Sequence, residues 1–237
     1  MTDNNSQHGL QNLASDVERI NATLNPRNDR KRMLLVPTEF ERAKLQPHLK
    51  CEIHICGFGP IAAAARAAEL IASQRPKSIT LIGIAGTFNE TDLPVKSAAV
   101  FREVVVDGIG VGADHQHRSA EEVGFAQWHS QGDEIHNRLA LIVPADSTGL
   151  PIAKALLTVG SASGGRGDAD WRRARFPTCK AEDMEAFGVA LACRLASVPL
   201  TVVRGISNLV GDRRKENWAI DAALESAAGL VKRLANP

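Results

Sequence analysis

Apolar positions along the chain follow two periods. Short runs rich in Val, Ile and Leu predict strands at 33–36, 52–56, 78–83, 98–106, 155–159 and 200–206. Helical spacing predicts an Ala-rich helix at 61–73, a second from about 182 to 196 and a last one from about 218 to 234. The core stripe of the last helix is Ile220, Ala223, Leu224, Ala227, Leu230, Val231 and Leu234. Strands alternating with helices argue for an α/β fold, a single domain whose sheet is covered on both faces. Ligands of such folds bind at the carboxyl ends of strands. Residues 1–30 are rich in Asn, Gln, Asp, Ser and Arg and have no core-forming pattern beyond one short helical stretch at 13–20. They are expected to be a weakly ordered extension, dispensable for the folding of a domain at 31–237. No internal repeat is visible. The stretch from about Gly112 to Arg138 carries His115, His117, His129 and His136 among polar residues and glycine. It reads as a long loop with a short helix, of the kind that covers a site.

Composition narrows the chemistry. The chain has 237 residues, 44% of them hydrophobic, enough for one substantial core. Its 28 basic and 27 acidic residues nearly balance, which leaves no electrostatic footprint for nucleic acid and no polybasic patch for a membrane. A small neutral or anionic ligand fits better. Cys51, Cys56, Cys179 and Cys193 are spaced too irregularly for a zinc framework. Cys51 and Cys56 fall together at one predicted strand, pointing to opposite faces, and all four are expected to be buried reduced thiols. The seven histidines show no metal-ligand spacing and default to surface or loop positions. No apolar run reaches membrane-spanning length and the N-terminus lacks a signal-peptide core, so a cytoplasmic location is expected.

Several strand ends carry candidate chemistry, each with a plain structural alternative. Gly57-Phe58-Gly59-Pro60 opens the Ala-rich helix with proline at a favoured first position. It can cradle an anion on backbone amides, or simply turn the chain. Gly83-Ile84-Ala85-Gly86, at the end of another strand, would let a ligand or a crossing strand approach the backbone. Thr38 and Glu41 have capping-box spacing, so Glu41 either caps a helix or faces the crevice at the end of the first strand. Glu182, Asp183 and Glu185 open the second helix, with Met184, Phe187, Gly188, Leu191 and Leu195 on its inward face. Three acids are more than one helix dipole needs. Arg204, inside an apolar strand, requires a partner or a ligand. Asn208 can form a turn or contact a heterocycle.

In this order and spacing the motifs resemble the nucleoside phosphorylase and nucleosidase superfamily, from Met33 nearly to the C-terminus. The resemblance implies one domain with a mixed sheet flanked by helices, no metal or organic cofactor, and a homo-oligomer, with a dimer favoured. Within the superfamily, Ser207-Asn208, the following Val210-Gly211-Asp212-Arg213 and Trp218, Thr158-Val159 with Gly164, and Asp107 to Gly110 resemble the futalosine hydrolases of menaquinone biosynthesis. By resemblance Glu41 would activate water, Met184 and Glu185 would hold the ribose, Arg204 and Ser207 would support the water and sugar, and Asn208 would address the purine. Ile84, Ala85, Gly86 and Ser163 would line the same pocket. Three positions depart from the pattern. Ile84 replaces a hydroxyl residue common in phosphorylases, favouring water over phosphate. Ser163 replaces a stacking Phe, and Val95-Lys96-Ser97-Ala98-Ala99 replaces a Val-Gly-Asp sequence. A purine nucleoside phosphorylase, a methylthioadenosine/S-adenosylhomocysteine nucleosidase and a non-catalytic nucleoside binder remain as alternatives.

Overall fold

The computed structural model describes residues 31–113, 116–130, 133–144 and 148–235. The expected extension at 1–30 lies outside them, as does His115. From Arg32 onward the chain forms one compact unit. Its elements in order are β1 (Arg32–Val36), α1 (Glu39–Leu45), β2 (Ile53–Ile55), α2 (Pro60–Gln74), β3 (Ser78–Thr87) and β4 (Ala98–Asp107). Short strands follow: β5 (Gly110–Val111), β6 (Arg118–Ser119), β7 (Trp128–Ser130), β8 (Asp133–Ile135) and β9 (Arg138–Ala140). The rest is β10 (Ile152–Val159), α3 (Arg166–Arg175), β11 (Cys179–Asp183), α4 (Ala186–Leu195), β12 (Leu200–Leu209) and α5 (Ile220–Ala235).

The main sheet runs β11-β10-β4-β12-β3-β1-β2, with β9 added on β4. It is mixed: β3 is parallel to β1 and β12, whereas β12 and β4 are antiparallel. The far end of β3 also pairs antiparallel with β11, Ala181 against Thr87 and Glu182 against Gly86. The pairings of β3, β12, β4, β10 and β11 therefore close on themselves, which satisfies strand edges that would otherwise stand open. This closure brings the carboxyl ends of β3, β12 and β10 close to β11.

Two apolar layers hold the sheet. One contains Ala63, Ala67 and Leu70 of α2, Phe187 and Ala190 of α4, and the strand residues Leu81, Val202 and Ile206. The other sets Leu45 of α1 and Leu224, Ala227 and Leu230 of α5 against Val36, Ile82 and Val203. The predicted stripe of the last helix thus packs as expected, and each fully buried Leu or Ile contributes about 1.5–3 kcal/mol. The helix itself begins two residues late, after a 3₁₀ turn at Lys215–Asn217.

Several expectations need correction. The predicted helix at 182–196 is a strand followed by a helix: Glu182 and Asp183 end β11, and α4 starts only at Ala186. Leu195, assigned to its inward face, is exposed. Gly83 to Gly86 do not turn the chain but continue β3 to Thr87, because β11 and β12 supply partners on both sides. The expected long loop carries β6, which pairs with β5 just before it, the paired strands β7 and β8, and a 3₁₀ turn at Glu121–Val123. Cys51 precedes β2 and is exposed, while Cys56, Cys179 and Cys193 are buried free thiols. His117 lies in a loop, as expected, and is buried there. At the Val95 to Ala99 departure, Lys96 adopts φ +72°, its N–H donates to Ile206 O (2.8 Å), and Ile206 N–H donates to Ser97 O (2.8 Å). Among the described residues no helix is long and apolar enough to cross a membrane.

Candidate active site

Gly83 marks the centre of the site. A side chain there would overlap Arg204 Nη1 and stand 2.9 Å from Glu41 Oε1, so glycine is what lets a buried cation and a buried carboxylate meet over β3. Glu41 reaches this point from α1. Half of the expected capping box forms: Thr38 Oγ1 accepts from Glu41 N–H (3.2 Å). The other half does not. Instead of returning to the helix start, Glu41 Oε2 accepts from Thr38 Oγ1 (2.6 Å) and Oε1 accepts from Ile84 N–H (3.0 Å). The carboxylate is buried and held by two donors, with its edge turned toward Arg204.

Arg204 is fully buried on β12. Its Nε (3.1 Å) and Nη2 (2.5 Å) donate to Asp183 Oδ2, and Nη2 also reaches Glu185 Oε2 at 3.3 Å. Nη1 is buried with no hydrogen-bond partner. Such a donor costs on the order of 1–3 kcal/mol when unmet, a cost a ligand or water between Glu41 and Arg204 would remove. Burial pulls the guanidinium toward losing its proton, but Asp183, Glu185 and Glu41 outweigh it and hold its pKa above the usual value.

Glu185 is placed by the way α4 is capped. Asp183 Oδ2 accepts from Ala186 N–H (3.0 Å), and Thr158 Oγ1 accepts from Phe187 N–H (3.0 Å) while donating to Asp183 Oδ1 (2.6 Å). These two side chains satisfy the first amides of the helix, so Glu185, at the N-cap position, makes no capping bond. Its carboxylate turns instead to Gly59 N–H (3.2 Å) and Arg204. Burial pushes the Glu185 pKa up to about 7; Arg204 opposes this, Asp183 adds to it, and Gly59 and Glu41 contribute less. One guanidinium faces three carboxylates, so a proton on one of them relieves the excess negative charge.

Further along β12 a bulge between Ile206 and Asn208 shifts the register, so that Asn208 pairs with Gly86. Asn208 therefore sits in a strand rather than a turn. Its Nδ2 donates to Leu209 O (2.8 Å) and its Oδ1 accepts from Ser207 Oγ (2.7 Å), which also lies 3.3 Å from Ala85 O. The Leu209 carbonyl can only accept, which fixes the orientation of the amide. One Nδ2 hydrogen remains for a ligand.

Glu41 and Arg204 thus meet over Gly83, with Ile84 N–H bonded to Glu41 and Glu185 bonded to Arg204, and Ala85, Gly86, Ser207 and Asn208 follow along the same two strands. Met184 is half-buried against the layer containing Val105 and Leu157. Ser163 is buried elsewhere on the rim, bonded to Glu182 and Arg172. Among the described residues no three His, Cys, Asp or Glu side chains form a group that could hold a metal.

Residues 51–236 match the phosphorylase superfamily. The chain belongs to that superfamily. As a member, it is 33% identical over 186 residues to futalosine hydrolase of Streptomyces coelicolor, covering 76% of each chain. It is 26% identical over 240 residues to 5′-methylthioadenosine/S-adenosylhomocysteine nucleosidase of Chromohalobacter salexigens, covering 94% of each. Among solved structures, futalosine hydrolase of Helicobacter pylori superposes with a TM-score of 0.71 at 14% identity, covering 87% of this chain and 97% of that one. The Neisseria meningitidis methylthioadenosine/S-adenosylhomocysteine nucleosidase, complexed with methylthio-immucillin-A, gives 0.70 at 16% identity, covering 87% and 98%. These superpositions establish the fold of the superfamily for this chain.

Sequence reasoning missed the supporting side chains of the site. Glu182, Asp183 and Glu185 read as an acidic helix start with more charge than one dipole needs, and nothing in the sequence singles out Asp183 as the partner of Arg204. Thr158 stood out only by resemblance. Nothing in the sequence separates Arg172 from Arg173 and Arg175 beside it.

Proposed function

We propose that the chain hydrolyses the N-glycosidic bond of a purine nucleoside, with futalosine as substrate and hypoxanthine and dehypoxanthine futalosine as products. The observation that carries this reading is the buried Glu41 carboxylate facing the unpartnered Nη1 of Arg204 across Gly83. Between them a water has an acceptor for its proton and a donor for its oxygen. In the reaction the water oxygen bonds to the anomeric carbon, the bond from that carbon to the base breaks, and its electron pair leaves with the purine. Glu41 takes the water's proton, and the departing purine anion takes up a proton from solvent to become hypoxanthine. Positive charge grows on the ribose ring, as in other glycosyl transfers, and the Glu41 and Glu185 carboxylates stabilise it. Glu185 also accepts from the ribose hydroxyls, held in place by Gly59 N–H and Arg204, with Met184 packing beside the sugar.

The free hydrogen of Asn208 donates to N7 or O6 of the departing base. A 6-oxopurine offers acceptors at both, which favours hypoxanthine. An ionised Asp at this position would place a second acceptor 2.8 Å from Leu209 O. The Streptomyces coelicolor relative supports futalosine as the substrate. A cytoplasmic homodimer is part of the same proposal, supported by free thiols and by exposed Phe58 and Ile61 beside the Gly59 turn.

The test is to incubate the protein with futalosine, inosine and methylthioadenosine, with and without phosphate, and to follow the free bases. Hypoxanthine should appear from futalosine without phosphate. Glu41→Gln should fold yet lose most turnover, whereas a capping role alone predicts a stability loss of about 1 kcal/mol and normal activity. Asn208→Asp should shift selectivity toward 6-aminopurine nucleosides. A strict phosphate requirement, or adenine as the preferred product, refutes the reading.

A further inference from the structure

The turn that follows β12 carries side chains that the chemistry above leaves unused. It departs from the strand after Leu209 and closes where Ala219 N–H donates to Ser207 O (2.8 Å), so Trp218 is held beside Ser207 of the site. Its interior is fully bonded. The Asp212 carboxylate accepts from Arg214 N–H (3.0 Å), Nε (3.1 Å) and Nη2 (3.0 Å) and from Asn217 Nδ2 (2.6 Å), and the Asp212 carbonyl accepts from Trp218 Nε1 (2.9 Å). Arg213 lies over the indole fixed in this way, with its guanidinium carbon 5.0 Å from the ring centroid. Arg213 is exposed, and among the described residues its guanidinium makes no hydrogen bond and no ion pair.

The side of the sheet on which this turn lies matters for what it can reach. Helices α2 and α4 pack in one apolar layer and α1 and α5 in the other. Glu185 and Gly59, which hold the ribose hydroxyls, come from the first layer. Trp218 leads into α5, and Asp221 of α5 pairs with Lys44 of α1, which puts the turn with the second. In a nucleoside the 5′ carbon rises from the ring face opposite the two hydroxyls. With its hydroxyls gripped from the α2 and α4 side, the ribose therefore directs its 5′ carbon toward the side of Trp218. A guanidinium over an aromatic face keeps its N–H edge free to fork onto a carboxylate. A turn that only introduced α5 would need neither the free cation nor the ring beneath it.

We propose that Arg213 and Trp218 form a subsite for an anionic aromatic substituent on the 5′ carbon, Arg213 pairing with its carboxylate and Trp218 walling its ring; this rests on the nucleosidase reading above. Arg213 is then a specificity-determining residue for a part of the substrate that does not react. Futalosine carries a carboxyphenyl group on its 5′ side and presents both features. The hydroxyl of inosine and the methylthio group of methylthioadenosine present neither the charge nor the ring.

Two measurements test this. The first needs no variant: kcat/KM of the parent for futalosine is compared with that for its carboxyl methyl ester. The ester should be poorer by about 10-fold, the low end for a hydrogen-bonded charge because Arg213 is open to solvent. The second measures the same pair of substrates with Arg213→Met and Arg213→Lys. In Arg213→Met the preference for the acid over the ester should vanish, through a higher KM for the acid, and Arg213→Lys should restore part of it by keeping the charge without the fork. If Arg213 only covers Trp218, Arg213→Met lowers acid and ester by the same factor, which overturns the inference. Equal kcat/KM for acid and ester in the parent, with hypoxanthine released from both, overturns this inference alone. No hypoxanthine from either compound overturns the nucleosidase reading with it.

Discussion

The proton on Glu185 is open to direct measurement. Its pKa rises from 4.5 to about 7 because burial disfavours the charged form, Asp183 and Glu41 repel it, and Arg204 compensates only in part. A pKa raised on folding gives a contribution that is complete below the unfolded value and is lost as pH rises through the folded one. The window is therefore about pH 4.5 to 7. A shift of about 2.5 units at roughly 1.4 kcal/mol per unit makes the loss about 3 kcal/mol across that window. Glu185→Gln keeps the shape and an acceptor for Gly59 N–H but cannot ionise. Urea denaturation of both proteins from pH 4 to 8.5 should give stability curves that diverge, the parent falling relative to the variant by about 3 kcal/mol by pH 8. Activity runs the opposite way, since the ribose contact needs the carboxylate, and the variant should be nearly inactive throughout. Curves that stay parallel across pH 4.5 to 7 would show that Glu185 is ionised in the free protein and that the charge count of the cluster is wrong.

Thr158→Val removes the hydroxyl that serves both Asp183 and Phe187 N–H, leaving two buried groups unmet at about 1–3 kcal/mol each. A loss of about 3 kcal/mol is expected in urea, and a loss below 1 kcal/mol would contradict the capping account of α4. In the native protein a thiol-specific disulfide reagent should modify Cys51 alone, since Cys56, Cys179 and Cys193 are buried and burial pushes each up to about 12. Rapid modification of two or more thiols would count against the packing around α2 and α4.

Much of this protein is determined locally. The strand runs at 78–83 and 200–206, the stripe from Ile220 to Leu234 and the Gly59-Pro60 helix start were legible because periodicity and turn chemistry act within a few residues. Arg204 announced a buried site for the same reason: a charge inside an apolar run needs a partner wherever the run folds. The partner itself was not legible. Asp183 reaches Arg204 across 21 positions of sequence, and Glu41 reaches Ile84 across 43. The first contact exists because β11 leaves the helical pattern to close the sheet against β3, the second because β1 pairs with β3 and carries α1 beside it, and distant strands make both choices. Glu182 shows the limit most clearly. Its sequence neighbourhood reads as an acidic helix start, and only long-range pairing with Gly86 turns it onto the same face as Asn208. Backbone periodicity is a property of neighbours in the chain, whereas strand pairing, burial and the charge balance around Arg204 are properties of neighbours in space, so only the tertiary structure decided them.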